Sequence, residues 1–306
     1  MTGFRHQAVL YEGTTDFLAS TLPFVRDAVA AGDPLIVVAH TQNLAALREA
    51  VVDGRSEVEW VDSRDWYHSP GIAFSGFVNF ALDRPDANCV RIIGEPIWPL
   101  AWDAAVAEYA HYESVFNVIG ESAPIWALCP YNIRQLPDSI LEHAHATHPE
   151  VWTGGGLDPS QSFVDPHLYC SHLADRIGTP DIRVRRLPLT ADLAAARAAV
   201  AAEAVAAGVR PSRIQELLLA AHEVAANALT HGGGYASLRT WSEEHSFVCE
   251  IEDHGPGLSE TVAGYLPPTG GQERGRGMWL ARQLCDLVEV QSRSGTTRVR
   301  LHVRRG

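Results

Sequence analysis

The sequence predicts an α/β protein of two domains, a parallel-sheet domain over 1–177 and an α+β two-layer sandwich over 178–306. Three observations predict it. In the first part, short continuous apolar runs alternate with segments of helical periodicity, as in strands covered on both faces by crossover helices. In the second part, helices and strands are segregated rather than alternating. The charge also changes at the same place. Residues 1–177 hold 9 Arg against 23 acids, a net −14, whereas 178–306 hold 15 Arg against 14 acids, a net +1.

In the first part, Gln7–Tyr11 reads as a strand and Thr15–Ala31 as a helix closed by Gly32-Asp33-Pro34. Leu35–Ala39 (LIVVA) is a buried strand, followed by a helix near Leu44–Val52 and a strand at Val58–Val61. A helix around Ile72–Asp83, a strand at Val90–Ile93, Trp-rich helical sequence over Trp98–Val118 and a strand at Ala123–Cys129 complete the alternation. The Gly/Pro/Ser-rich stretch Thr153–Pro166 reads as a loop, and Ile177–Asp181 as the linker. The second part reads strand Ile182–Leu187, helix Ala191–Ala207, helix Pro211–Leu229, and strands Ala236–Trp241 and Phe247–Asp253. A long loop, helix Met278–Leu287 and strands Val288–Ser292 and Arg298–Val303 close it.

All 24 basic residues are arginine. Without lysine there is no Walker-A phosphate loop, no pyridoxal Schiff base and no protein kinase of the ordinary fold. The acidic first part is the wrong sign for a nucleic-acid partner. No apolar run reaches the length of a membrane span, and the first residues lack the basic-then-apolar layout of a secretory signal. Five widely spaced cysteines fit reduced thiols rather than a disulfide framework. These features predict a cytoplasmic protein.

Three segments of the second part carry chemistry. In His222-Glu223-Val224-Ala225-Ala226-Asn227, Glu223 and Asn227 are four apart and share a helix face. A carboxylate beside a carboxamide offers a general base and a neutral oxygen ligand for Mg2+, although such a pair alone is common on solvated helices. Asp253-His254-Gly255-Pro256-Gly257 ends an apolar strand. An Asp there can accept a hydrogen bond from an exocyclic amine, and the glycines let a planar ring approach the backbone, but turns favour the same residues anyway. Gly275-Arg276-Gly277-Met278 opens a helix, and glycines at a helix start present backbone amides to a phosphate without a lysine.

The order and spacing of these segments resemble the ATP-binding domain shared by gyrase, histidine kinases and MutL (the GHKL or Bergerat fold). Its asparagine box matches as Glu223 and Asn227, and its two glycine boxes as Asp253, Gly255 and Gly257 and as Gly275 and Gly277. Gly295-Thr296-Thr297 looks like that family's terminal strand, where a threonine helps the Asp hold adenine. Thr297 is the better match, being in phase with Val299, Leu301 and Val303. The short strand–helix–helix entry and the run Gly-x-Gly-Met-x-Leu-Ala-Arg look like the RsbW-like anti-sigma-factor serine kinases. That resemblance implies ATP and Mg2+ as cofactors, Glu223 as the base for a substrate serine, Asn227 as the Mg2+ ligand and Asp253 as the adenine selector. It also implies phosphate contacts near Gly275–Gly277 and Met278, with Arg274 or Arg276 either stabilising transferred charge or simply solvated. The implied partners are an anti-anti-sigma (STAS-type) protein and a sigma factor, and the implied assembly is a homodimer.

The first part also carries a resemblance. Phe4-Arg5-His6-Gln7, Leu10-Tyr11, Gly32–Val38, Arg91-Ile92-Ile93-Gly94-Glu95-Pro96, Cys129-Pro130-Tyr131-Asn132 and His148-Pro149 look like a MEDS sensory domain (methanogen/methylotroph, DcmR type). This implies a degenerate RecA/KaiC-like fold that senses a small ligand. Trp60, Trp66, Tyr67, Trp98, Trp102, Tyr109 and Tyr112 either line an apolar pocket for it or pack the core.

Two other functions stay open. A sensor histidine kinase needs a phosphoacceptor His on a helical hairpin, and residues 142–185 offer His148-Pro149-Glu150 among glycines and prolines without paired heptads. A nucleotide-dependent binding module that has lost catalysis would keep the same residues. His143, His145, His148, His167, Cys170 and His172 invite a metal, but their spacing fails the usual zinc templates.

Overall fold

Leu35–Ala39 is buried at all five positions and forms an interior strand, as a continuous apolar run between helices requires. The computed structural model describes residues 3–51, 58–121, 123–154, 156–175, 177–178, 184–187, 189, 192–233, 236–258, 262–268, 276–293 and 295–305. The chain divides into two compact units: residues 1–68, 76–100 and 109–170, and residues 69–75, 101–108 and 171–306. Among the described residues no helix is long and apolar enough to cross a membrane.

In chain order the first elements are β1 (Arg5–Tyr11), α1 (Thr14–Ala31), β2 (Leu35–Ala39), α2 (Thr41–Ala50), β3 (Val58–Asp62), α3 (Ser63–Trp66), α4 (Pro70–Leu82) and β4 (Val90–Gly94). They are followed by α5 (Asp103–Gly120), β5 (Ile125–Asn132), α6 (Asp138–Thr147), β6 (Glu150–Trp152), β7 (Leu157–Pro159) and α7 (Pro166–Asp175). The strands form one sheet in the order β3-β2-β4-β5-β1-β6-β7. Every pair is parallel except β6–β7. Gly32 caps α1 in the left-handed region at φ 68°, its N–H reaching the carbonyls of Ala28 and Val29, a conformation that costs glycine least.

The residues of the first-part resemblance interlock at the strand ends. Arg91 Nε donates to Asp33 Oδ2 at 2.8 Å, fastening the turn before β2 to β4. Glu95, buried just past β4, accepts from the Tyr11 hydroxyl, from Asn43 Nδ2 at 2.9 Å and from the backbone N–H of His40 at 2.8 Å. Burial and the neighbouring Glu95 carboxylate push the Tyr11 hydroxyl pKa up. Trp98 packs on Tyr109 and Tyr131, and Tyr67 on Tyr109, so these expected pocket aromatics pack on one another.

The second part contains β8 (Arg185–Leu187), α8 (Leu193–Ala206), α9 (Pro211–His231), β9 (Ala236–Ser242), β10 (Ser246–Asp253), α10 (Arg276–Leu284), β11 (Leu287–Arg293) and β12 (Thr296–Arg304). Its sheet is antiparallel throughout, in the order β11-β12-β10-β9-β8. Asp192 caps α8 by accepting from the N–H groups of Ala194 and Ala195 at 3.1 Å, and Pro211 opens α9 where its missing N–H costs nothing. Ile214, Leu217, Ala221, Val224, Ala225 and Ala228 of α9 bury against Phe247, Cys249 and Ile251 of β10 and Val299 and Leu301 of β12. The result is a two-layer sandwich.

Several boundaries differ from expectation. Helix α5 begins at Asp103 rather than Trp98. The last helix ends at Leu284, and Leu287 already pairs with His302, so ladder formation with β12 takes over the residues expected to continue it. The stretch read as a loop at 153–166 contains β7, and no element was expected at α6, β6 or α7.

Candidate functional site

The site grows from α9. Its buried face is set by residues three and four apart, from Ile214 to Ala228, and this turns Glu223 and Asn227 away from the core. Glu223 is half-buried and Asn227 is exposed. The start of α10 lies directly against them. A Cβ on Gly277 would stand 2.8 Å from Asn227 Nδ2, 3.2 Å from Glu223 Cβ and 3.3 Å from Glu223 Oε2. Only a residue without a side chain lets the first turn of α10, with its unpaired amides, come this close to the carboxylate and the carboxamide.

Arg276, the first residue of α10, is exposed, whereas Met278 is buried in the core cluster rather than on the open surface. Gly264, in the left-handed region at φ 80°, packs on Met278. Arg274 and Gly275 lie outside the described residues.

The second half of the site sits where β10 meets the end of α9. Asp253 Oδ1 accepts from the N–H of Gly255 at 2.9 Å, which leaves Oδ2 for another donor. A Cβ on Gly232 would stand 2.4 Å from Asp253 Cβ, and one on Gly255 would stand 2.5 Å from the His231 carbonyl. The Asp turn and the end of α9 therefore pack backbone to backbone. Gly257 is left-handed at φ 88°, and the next residue, Leu258, donates its N–H to Ser292 Oγ at 2.6 Å. Thr297 pairs with Asp253 across β10–β12 and is buried, while Thr296 pairs with Arg293 and its hydroxyl donates to the Gly295 carbonyl.

Asp253 lies in phase with Cys249 and Ile251, the residues that face α9, so it stands on the helix-covered side of the sheet. Its neighbour Glu252 belongs to the other face. Burial pushes the Glu252 pKa up, and hydrogen bonding and charge from Arg298, with charge from Arg239, more than offset this and leave it below its usual value. Nine residues of α9, roughly 13 Å, separate the Glu223 end from Gly232 beside Asp253. An elongated ligand with a hydrogen-bonding head at one end and negative charge at the other fits that layout. Two contributors were not singled out in the sequence, Gly232 and Gly264; the His231-Gly232-Gly233-Gly234 run was the available signal for the first.

No curated protein matches the chain. Among solved structures, the histidine kinase domain from Erythrobacter litoralis EL346 blue-light activated histidine kinase is similar at 16% identity, over 56% of this chain and 77% of its own, with a TM-score of 0.27. Residues 5–149 match the family described as the MEthanogen/methylotroph, DcmR Sensory domain, MEDS. Residues 188–303 match the histidine kinase-like ATPase domain. That family implies ATP, and the polar groups of Glu223, Asn227 and Asp253, with the first turn of α10 against the former two, fit it. The chain thus joins a MEDS sensory domain to a histidine kinase-like ATPase domain, the pairing of a signalling regulator.

Proposed function

We propose that the ATPase domain is an ATP- and Mg2+-dependent protein serine/threonine kinase of the anti-sigma-factor type, controlled by the sensory domain and acting on an anti-anti-sigma (STAS-type) partner. The observation that carries this reading is the contact of Gly277 with both Glu223 and Asn227. It brings a base, a neutral oxygen ligand and helix-start amides to one place. Bound Mg-ATP would supply the phosphoryl group. Glu223, half-buried on α9, accepts the proton of the partner's serine hydroxyl. Asn227 offers its side-chain oxygen to Mg2+. The amides at the start of α10 hold phosphate oxygens, and the exposed Arg276 lies beside them. Asp253 accepts from the adenine amine through Oδ2, with Thr297 alongside. The domain also sequesters a sigma factor, and the working assembly is a homodimer.

The competing assignment of a histidine kinase is disfavoured by His148, the candidate phosphoacceptor, whose side chain is wholly buried. Incubating the chain with radiolabelled ATP and candidate anti-anti-sigma proteins tests the proposal. Acid-stable label on a partner serine, lost in Glu223→Ala, is expected. Acid-labile label on the chain itself, or partner phosphorylation undiminished in Glu223→Ala, would sink it.

A further inference from the structure

A second group of polar side chains lies inside the first unit, apart from the nucleotide site. His6 on β1, Glu113 on α5, Cys129 on β5 and His148 at the end of α6 are all buried, and one ligand atom from each lies within 4.8 Å of the others. On the neighbouring parallel strands, Ala127 is the register partner of His6, and Cys129 that of Ala8. Residues two apart share a face, so His6, Ala8, Ala127 and Cys129 form one patch in which the two alanines leave room. Glu113 and Asn117, four apart on α5, come down on that patch.

Both imidazoles are held in one tautomer. His6 Nδ1 lies 3.1 Å from Asn117 Oδ1. The Asn117 amide is oriented by Nδ2, which donates to the Thr147 carbonyl at 2.8 Å, so its oxygen faces the ring. His148 Nδ1 lies 2.9 Å from the Ala144 carbonyl. Each Nδ1 therefore donates, and each Nε2 keeps a lone pair. Both lone pairs face the same carboxylate oxygen: Glu113 Oε2 is 3.1 Å from His6 Nε2 and 3.6 Å from His148 Nε2. Cys129 Sγ is 3.4 Å from His6 Nε2 and 3.9 Å from Glu113 Oε2. A proton on Glu113 serves only one of the two nitrogens, and His148 Nε2 is buried without a hydrogen bond.

These four separations, 3.1–3.9 Å, lie close to four of the six edges of a coordination tetrahedron, and all four ligand atoms lie within 4.8 Å of one another. Bonds of about 2.0–2.3 Å to N, O and S require ligand–ligand edges of roughly 3.3–3.8 Å. We propose that His6, Glu113, Cys129 and His148 form a four-coordinate site for a divalent first-row cation of borderline softness, zinc by its donor set. Two neutral imidazoles, a thiolate and a carboxylate sum to −2, so a dication leaves the buried site neutral. Metal entry releases the thiol proton, and any proton on Glu113, to solvent. Asn117 and the Ala144 carbonyl hold the Nδ1 protons, the outer support that histidine ligands use. With four protein ligands and no exposed face, the centre is structural, tying β1, α5, β5 and α6 together.

The test uses the full chain, stripped with chelator and reconstituted with Zn2+ or Co2+. One equivalent of zinc should stay with the chain through gel filtration. The cobalt form should show intense tetrahedral visible bands and a thiolate charge-transfer band that Cys129→Ser removes. Asn117→Ala should weaken zinc binding by about 10–100-fold. These buried substitutions can compromise folding, so the wild-type cobalt spectrum is decisive by itself. Failure to take up either metal, or a cobalt spectrum of octahedral type without a thiolate band, overturns the proposal. Neither result depends on ATP or on phosphate transfer.

Discussion

Asp253 and Thr297 stand directly opposite one another on β10 and β12, with Asp253 Oδ1 already held by the Gly255 N–H. Both side chains therefore stand on the same face of the sheet, at its end.

Asp253→Asn should lower ATP affinity by about 10–100-fold, since a hydrogen bond to a charged group contributes about 1.5–3 kcal/mol. Far-UV circular dichroism should be unchanged. Calorimetric titration with ATP measures it, and wild-type affinity in the variant removes Asp253 from the nucleotide site.

Gly277→Ala should weaken nucleotide binding while keeping α10 helical, because alanine favours helix but its Cβ meets Asn227 Nδ2 at 2.8 Å. A fluorescent ATP analogue is expected to bind about tenfold more weakly, through the displaced Asn227 and the widened α9–α10 approach. Restored binding in Gly277→Ala/Asn227→Ala would show that the clash, not the loss of Asn227, limits the single variant.

Glu250 is wholly buried and pairs with Arg239 at 2.5 Å, Arg300 at 2.7 Å and Arg298 at 3.5 Å. Glu250→Ala removes the carboxylate at the centre of this cluster, leaving Arg239 and Arg298 to Glu252 and Arg300 to Glu289 3.9 Å away, and should destabilise the antiparallel sheet by about 3 kcal/mol. Hydrogen exchange of the β10 and β12 amides should accelerate accordingly, with protection in β1 and β5 unchanged.

Native alkylation at pH 8 should label Cys89, the half-buried thiol, before the four buried ones. Burial pushes Cys249 up to about 12 and raises Cys285 further. A folded-state pKa above the ordinary 9.0 means the folded chain keeps its proton longer than the unfolded one. The stability from Cys249 is therefore intact below about pH 9 and is lost as pH rises toward 12. Mass spectrometry of peptides labelled before and after denaturation checks the order, and early labelling of Cys249 would contradict it.

Local pattern made much of this chain legible. The continuous run Leu35–Ala39, the three-and-four spacing of α9 and the Gly32 stop are short-range signals, and the strand and helix they imply are present. Period-two phase distinguished Thr297 from Thr296, because strand alternation is a local property that register preserves. The signals failed where long-range pairing competes with periodicity. Leu287 reads as helix by its neighbours but is taken by β12, and α6 has His148 at its C-cap, whose burial depends on elements far away in sequence. The chemistry divides in the same way. Glu223, Asn227, Asp253 and the glycines were visible as motifs, because each box is contiguous. The four-ligand cluster draws His6, Glu113, Cys129 and His148 from four elements spread over more than 140 residues, so no spacing template contains it. Residue types and local periods are properties of the chain, whereas the convergence of two tautomer-locked imidazoles on one carboxylate exists only once sheet register and helix packing have brought them together.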